Sequence, residues 1–177
     1  EARTLYTPEP GTTPQGGPFG TFLRLSPSRK SLFFGVNYPS ADSSPHEIFD
    51  IPLDGAPSDV RAVDTIRFNY DLAFDDQGRG FVSSYDWGAE NRIFLLDGDP
   101  GTPSKSVVAG ISGLSGPLAF HGGRLYYATA SREGVNRIVY FSAQEIDAAI
   151  VGDQPIEFQS AIDRGQKRFE DLPPTWL

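Results

Sequence analysis

Short apolar stretches alternate with polar turns along the whole chain. Ser31-Leu32-Phe33-Phe34, Gly80-Phe81-Val82-Ser83 and Leu125-Tyr126-Tyr127-Ala128 are dominated by aromatic and branched residues, which suit a pleated, half-buried strand. A shorter apolar strand precedes each of them across a polar turn: Ser26-Pro27-Ser28-Arg29, Asp75-Asp76-Gln77-Gly78 or His121-Gly122-Gly123. A longer polar loop then leads to a third strand such as Ile93–Leu96. Another turn, Leu53-Asp54-Gly55 or Asp97-Gly98-Asp99-Pro100-Gly101, precedes a weaker fourth strand such as Ser106–Ala109.

This grammar repeats. Asn91-Arg92-Ile93-Phe94 returns 45 residues later as Asn136-Arg137-Ile138-Val139, and Asp71-Leu72-Ala73-Phe74 returns 46 residues later as Pro117-Leu118-Ala119-Phe120. A looser first copy runs through Phe22-Leu23-Arg24-Leu25, Ser31–Phe34 and Glu47-Ile48-Phe49-Asp50. Four strands in roughly 40–45 residues is the pattern of a β-propeller blade. Helical repeats would need 3.6-residue periodicity over longer, less Gly-broken segments. The expected fold is therefore all-β, with three four-stranded antiparallel blades at 20–65, 66–111 and 112–163. One segment departs from the pattern. Ser142-Ala143-Gln144-Glu145 is a capping box, with Ile146, Ala149 and Ile150 on one face and Gly152 to end the turn, so a short helix is expected near 142–151.

Propellers close with about four to eight blades, so three leave an incomplete ring with open edges. The ring is then completed in one of three ways: by further chain of the same protein, by a second copy giving six blades, or by a different protein. Residues 1–19 read as a strand and a Pro/Gly/Thr linker. Residues 164–177 read as a tail whose Arg164, Lys167, Arg168, Phe169 and Trp176 suit gripping a partner.

Composition narrows the chemistry. Nineteen Gly and fifteen Pro fit a turn-rich fold. A formal charge of −8 opposes nucleic-acid binding, and no apolar run approaches the ~18 residues of a membrane span. Zero Cys excludes disulfides, thiolate metal sites and a Cys nucleophile. Zero Met, even at position 1, points to a processed, trimmed or partly represented chain.

The stretches 115–149 and 71–101 resemble the NHL-like propeller repeats of secreted or cell-surface bacterial proteins. More distantly they resemble the six-bladed gluconolactonase and senescence-marker lactonases. The first likeness implies an extracytoplasmic propeller. The second implies a metal-dependent hydrolase whose Glu, Asn and Asp converge on a divalent ion. Asn69 is the only match to that Asn, and the Pro-Asn-Gly turn that usually carries it is replaced by Arg67-Phe68-Asn69-Tyr70.

Two loops of the second unit are expected to open on one face, bringing Asn69, Tyr70 and Asp71 together with Tyr85, Asp86, Trp87 and Glu90. Aromatic anchors beside carboxylates suit a ligand or partner contact, a sugar among them. The same residues would also serve as packing between blades and as solvated turns. Asp75-Asp76 and Asp97-Gly98-Asp99 are possible oxygen ligands for Ca2+, but the EF-hand spacing is missing and Asp-Gly is ordinary turn chemistry. No cofactor is expected. His46 and His121 lack a two-His metal spacing, and neither a Gly-x-Ser-x-Gly elbow nor a P-loop occurs. Arg92 and Arg137 repeat at the start of the third strand, where an ion pair between blades or a hydrogen-bonded edge is expected. The sequence thus points to a non-catalytic binding or assembly module whose partner is another protein chain or the rest of its own propeller. A lactonase-like hydrolase and a carbohydrate-binding propeller are the alternatives.

Overall fold

A computed structural model describes residues 19–37, 46–84, 90–99, 101–112, 115–129 and 138–162. The chain is mostly strand. Its first sheet is an antiparallel meander of β1 (Phe19–Leu25), β2 (Ser31–Asn37), β3 (Glu47–Pro52) and β4 (Arg61–Thr65), paired in that order. The second is a like meander of β5 (Asn69–Phe74), β6 (Gly80–Ser84), β7 (Asn91–Leu95) and β8 (Ser106–Ile111). The third contains β9 (Leu118–His121), β10 (Arg124–Ala128) and β11 (Ile138–Ser142). β1 lies beside β5, and β5 beside β9.

Period-two patterning decides which side chains go inside. Leu125 and Tyr127 of β10 are fully buried, while Arg124 on the alternate face is exposed. The second sheet is buried on both sides. Leu72 and Val82 join Phe22, Ile48, Val63 and Ile66 in a core against the first sheet. Their neighbours Ala73 and Phe81 join Leu118, Leu125, Tyr127, Val139 and Phe141 in a core against the third. All five residues of β6 are buried for that reason.

Turn chemistry acts where the sequence placed it. His121 pairs with Arg124 across Gly122 and Gly123, both at positive φ, as a two-residue hairpin of the right-handed twist requires. Asp75 accepts from the backbone N–H groups of Gln77 and Arg79 and closes the β5–β6 turn, with Gly78 at φ 82°.

The expectation of three four-stranded units needs correction at the third. Among the described residues that sheet has three strands, because β11 runs directly into a helix, α1 (Ala143–Gly152). Ser142 closes the strand and caps the helix: it accepts from the Glu145 N–H, and Glu145 reaches back to the Ser142 N–H at 2.9 Å. Ile146 and Ala149 are buried as the sequence indicates. The left-handed residue at the C-terminal cap is Asp153, at φ 52°, and Gly152 is the last residue of the helix. The helix delivers β12 (Ile156–Glu157) to the outer edge of β8, where it pairs in parallel with Val108 and Ala109 and makes the second sheet five-stranded. An edge that would otherwise present unpaired backbone is thereby covered. A second short helix, α2 (Phe158–Ile162), unannounced by the sequence pattern, packs Phe158 edge-on against the Tyr127 ring at 6.0 Å.

Candidate functional site

Asn69, the first residue of β5, is fully buried. Its amide donates to the carbonyls of Val36 (3.2 Å) and Ile66 (3.3 Å), and its Oδ1 accepts from Thr21 Oγ1 (2.5 Å). Its own carbonyl accepts from Asn37 Nδ2 at 2.8 Å. Asn37 Oδ1 in turn bonds His46 Nδ1 at 2.8 Å, and the His46 ring packs on Phe68. His46, placed by the sequence in a connecting loop, is therefore part of a buried polar cluster between the first two sheets. Gly35 makes room for it, because a Cβ there would collide with Asn69 Oδ1, Thr21 Oγ1 and the Phe22 ring.

Asp71 is also buried. Arg24 of β1 donates to its Oδ1 at 2.5 Å, and the Leu118 N–H of β9 donates to its Oδ2 at 2.9 Å. One carboxylate thus ties all three sheets together. Between these two residues Tyr70 is exposed. Glu90 accepts from the Gly110 N–H and lies 3.4 Å from Arg92, so it braces the bulge in β8. That ion pair of Arg92 lies within one sheet and not between units. Tyr85, Asp86 and Trp87 lie outside the described residues, as do Arg137 and the tail residues Arg164, Lys167, Arg168, Phe169 and Trp176.

The second junction repeats the first. Ser83 Oγ donates to the Gly116 carbonyl at 3.0 Å, and the Gly116 N–H donates to the Tyr127 hydroxyl at 3.1 Å. Ser83 is 46 residues beyond Asn37, so each pair of sheets is latched by a polar side chain near the end of one second strand that reaches the entry backbone of the next unit. The sequence held this signal, since both are polar residues closing an aromatic strand at the repeat spacing. A further link crosses from the second unit to the third. Arg79 donates to Asp75 and to Asp147 of α1, each at 2.7 Å. Burial opposes the charge on Arg79, but the hydrogen bonds and charges of the two carboxylates outweigh it and hold its pKa above the ordinary value.

Asp99 and Asp64 hold turns and loops. Asp99 accepts from the Gly101 N–H and then from the Thr102 hydroxyl, and these bonds lower its pKa. Asp64 is fully buried and accepts from Ser104 Oγ and the Asp97 N–H. Among the described residues no three His, Asp or Glu side chains converge as metal ligands. Asn69 and Asp71 do not fit a divalent ion, because protein donors already occupy their oxygens. An open groove of about 590 Å³ runs beside Arg92, Asp97, Lys105 and Asp153. Its Lys105 is paired with Asp153 at 3.0 Å, and the Thr102 and Ser104 hydroxyls on its wall donate to Asp99 and Asp64.

The open sheet faces differ in kind from these satisfied sites. The second sheet turns Leu72 and Phe74 toward the first, and the third turns Leu118 and Phe120 toward the second. The first sheet carries apolar residues at the equivalent positions, Leu23 and Leu25, yet these are 53% and 45% exposed, with Phe19 at 49%. At the other end, the third sheet presents Ala119, His121 and Arg124, all exposed, beside half-buried Tyr126 and Tyr140. The Arg124 guanidinium lies over the Tyr140 ring at 4.7 Å.

The chain matches no protein-family model and no curated protein. Among the described residues no helix is long and apolar enough to cross a membrane.

Proposed function

We propose that this chain is a non-catalytic, extracytoplasmic β-propeller module that works by binding another protein chain through its open sheet faces. Its three sheets are read as successive blades of an incomplete ring. The order supports this: each sheet is a sequential meander, the first strands lie side by side, and each later sheet turns an apolar face toward the one before it. The observation that carries the reading is the exposed Leu23 and Leu25 on the face of the first sheet where the other sheets bury their counterparts. Contiguous exposed apolar surface of this kind marks interaction sites. The extracytoplasmic location rests on the resemblance to NHL-like repeats. A metal-dependent hydrolase gains no support, since Asn69 and Asp71 are occupied in holding sheets together.

The test combines light scattering with titration of an environment-sensitive apolar dye. The folded chain is expected either to associate or to light the dye, and the double change Leu23→Asp and Leu25→Asp is expected to suppress whichever occurs. A well-folded species that holds at 19.3 kDa over the whole concentration range and leaves the dye dark overturns the reading.

A further inference from the structure

We infer that the occupant of the open first sheet is the third sheet of a second copy, so that two copies join head to tail and close a ring of six sheets. This rests on the assembly reading above and adds the partner, the orientation and the contact. Two internal junctions already show how consecutive units meet, and the outward faces of the first and third sheets are the two halves of a third such junction. The first sheet offers the apolar side with Leu23 and Leu25, and the third offers the side with Ala119, Tyr126 and Tyr140.

Charge fixes the choice of a second copy. At the junction of the second and third units, Arg79 crosses to Asp147, which follows the third strand of its sheet. Arg124 occupies the same place one repeat later, 45 residues beyond Arg79, at the start of its sheet's second strand. It is exposed and stacks on Tyr140, but among the described residues it pairs with no carboxylate. Asp54 lies in the turn two residues after the third strand of the first sheet, at the strand end that in the third sheet leads into α1 and Asp147, and it too is exposed and without an ion pair among the described residues. A head-to-tail contact brings Arg124 of one copy to the partner's Asp54 and repeats the Arg79–Asp147 link. Heterologous contacts of this kind close into rings when the rotation permits. Six sheets fall within the about four to eight that close a propeller.

The latch differs at the new junction. Ala128 stands opposite Pro117 as Ser83 stands opposite Asp71. Contact between copies therefore lacks the hydrogen bond that Ser83 makes, and association is reversible with concentration.

Sedimentation velocity on the full chain and its variants tests this. The wild type is expected to shift from monomer to dimer as concentration rises. Leu23→Asp buries a carboxylate at both junctions and is expected to weaken dimerisation by about a hundredfold or more. Arg124→Asp and Asp54→Arg each remove the pair twice per ring and are expected to weaken it on the order of tenfold. The double variant Arg124→Asp with Asp54→Arg restores the pair in reversed sense and is expected to recover dimerisation to within about threefold of wild type. All these positions are exposed, and circular dichroism checks that each variant folds. Three results overturn the inference while leaving the assembly reading intact. In the first, the wild type stays monomeric yet lights the apolar dye. In the second, the dimer is lost in Leu23→Asp but unchanged in Arg124→Asp, which marks a first-sheet-to-first-sheet contact. In the third, the charge-swapped double variant is no better than the singles. A monomer with a dark dye overturns both.

Discussion

Asn69 and Asp71 sit two residues apart at the start of β5, and both are occupied with protein partners. A buried carboxamide or carboxylate is costly unless its polar atoms are bonded, and here, besides local bonds with Ile66 and Leu72, bonds run to residues 33 to 48 positions away. These side chains therefore set the position of one sheet on another. Tyr127 is the titratable counterpart at the other junction. Its hydroxyl is buried and its pKa is pushed up to about 12, chiefly by that burial, against the nearby Ser115 hydroxyl and the bond from the Gly116 N–H, which lower it. The unfolded tyrosine ionises near 10. Neutral Tyr127 thus contributes fully below pH 10, and stability falls by about 1.4 kcal/mol per unit as pH rises from there toward 12. Urea melts of wild type and Tyr127→Phe at pH 8, 10 and 11 check this. The wild type should lose midpoint more steeply than the variant above pH 10, and parallel profiles would count against it.

At the scale of elements, α1 changes what the third unit becomes. The capping box satisfies N–H groups that the helix start leaves open, and the helix diverts the chain from a fourth strand to the β8 edge. Ser142→Ala removes both the cap and its reciprocal bond with Glu145. The expected cost is about 1 kcal/mol, read as a lower urea midpoint at unchanged slope. A variant as stable as wild type would mean that the packing of Ile146 holds the helix without its cap. Strands, by contrast, depend little on single caps. β10 is positioned by pairing on both sides, with β9 and β11, so its alternation has only one workable register.

Across the whole molecule, the second sheet is the shared wall of two cores, one containing Leu72 and Val82 and the other Phe81 and Ile93. A wall common to both couples their unfolding, since neither core survives loss of that sheet. Leu72→Ala in one core and Ile93→Ala in the other are each expected to lower stability by about 2–5 kcal/mol. Each should shift a single transition seen identically by tyrosine fluorescence and far-ultraviolet circular dichroism. Two separated transitions in either variant would show that the cores unfold independently. The same continuity is what makes the open ends informative: a sheet stack whose inner members are buried on both faces has outer members with one face left over.

By itself, the sequence determined the local structure. Apolar alternation placed the strands, Gly122-Gly123 and Asp75–Gly78 placed turns, Ser142 and Glu145 placed the helix start, and the 45-residue recurrence placed the units. Each of these signals acts through neighbours a few residues apart, where backbone sterics and side-chain period leave little choice. Only the tertiary structure decided that Asn69 and Asp71 bond from one sheet to another, that β12 leaves its own unit for β8, and that Leu23 and Leu25 are exposed where Leu72 and Leu118 are buried. Those outcomes depend on which surfaces meet across 30 to 50 residues of chain. The same residue type is core when a neighbouring sheet removes it from water and open surface when none does.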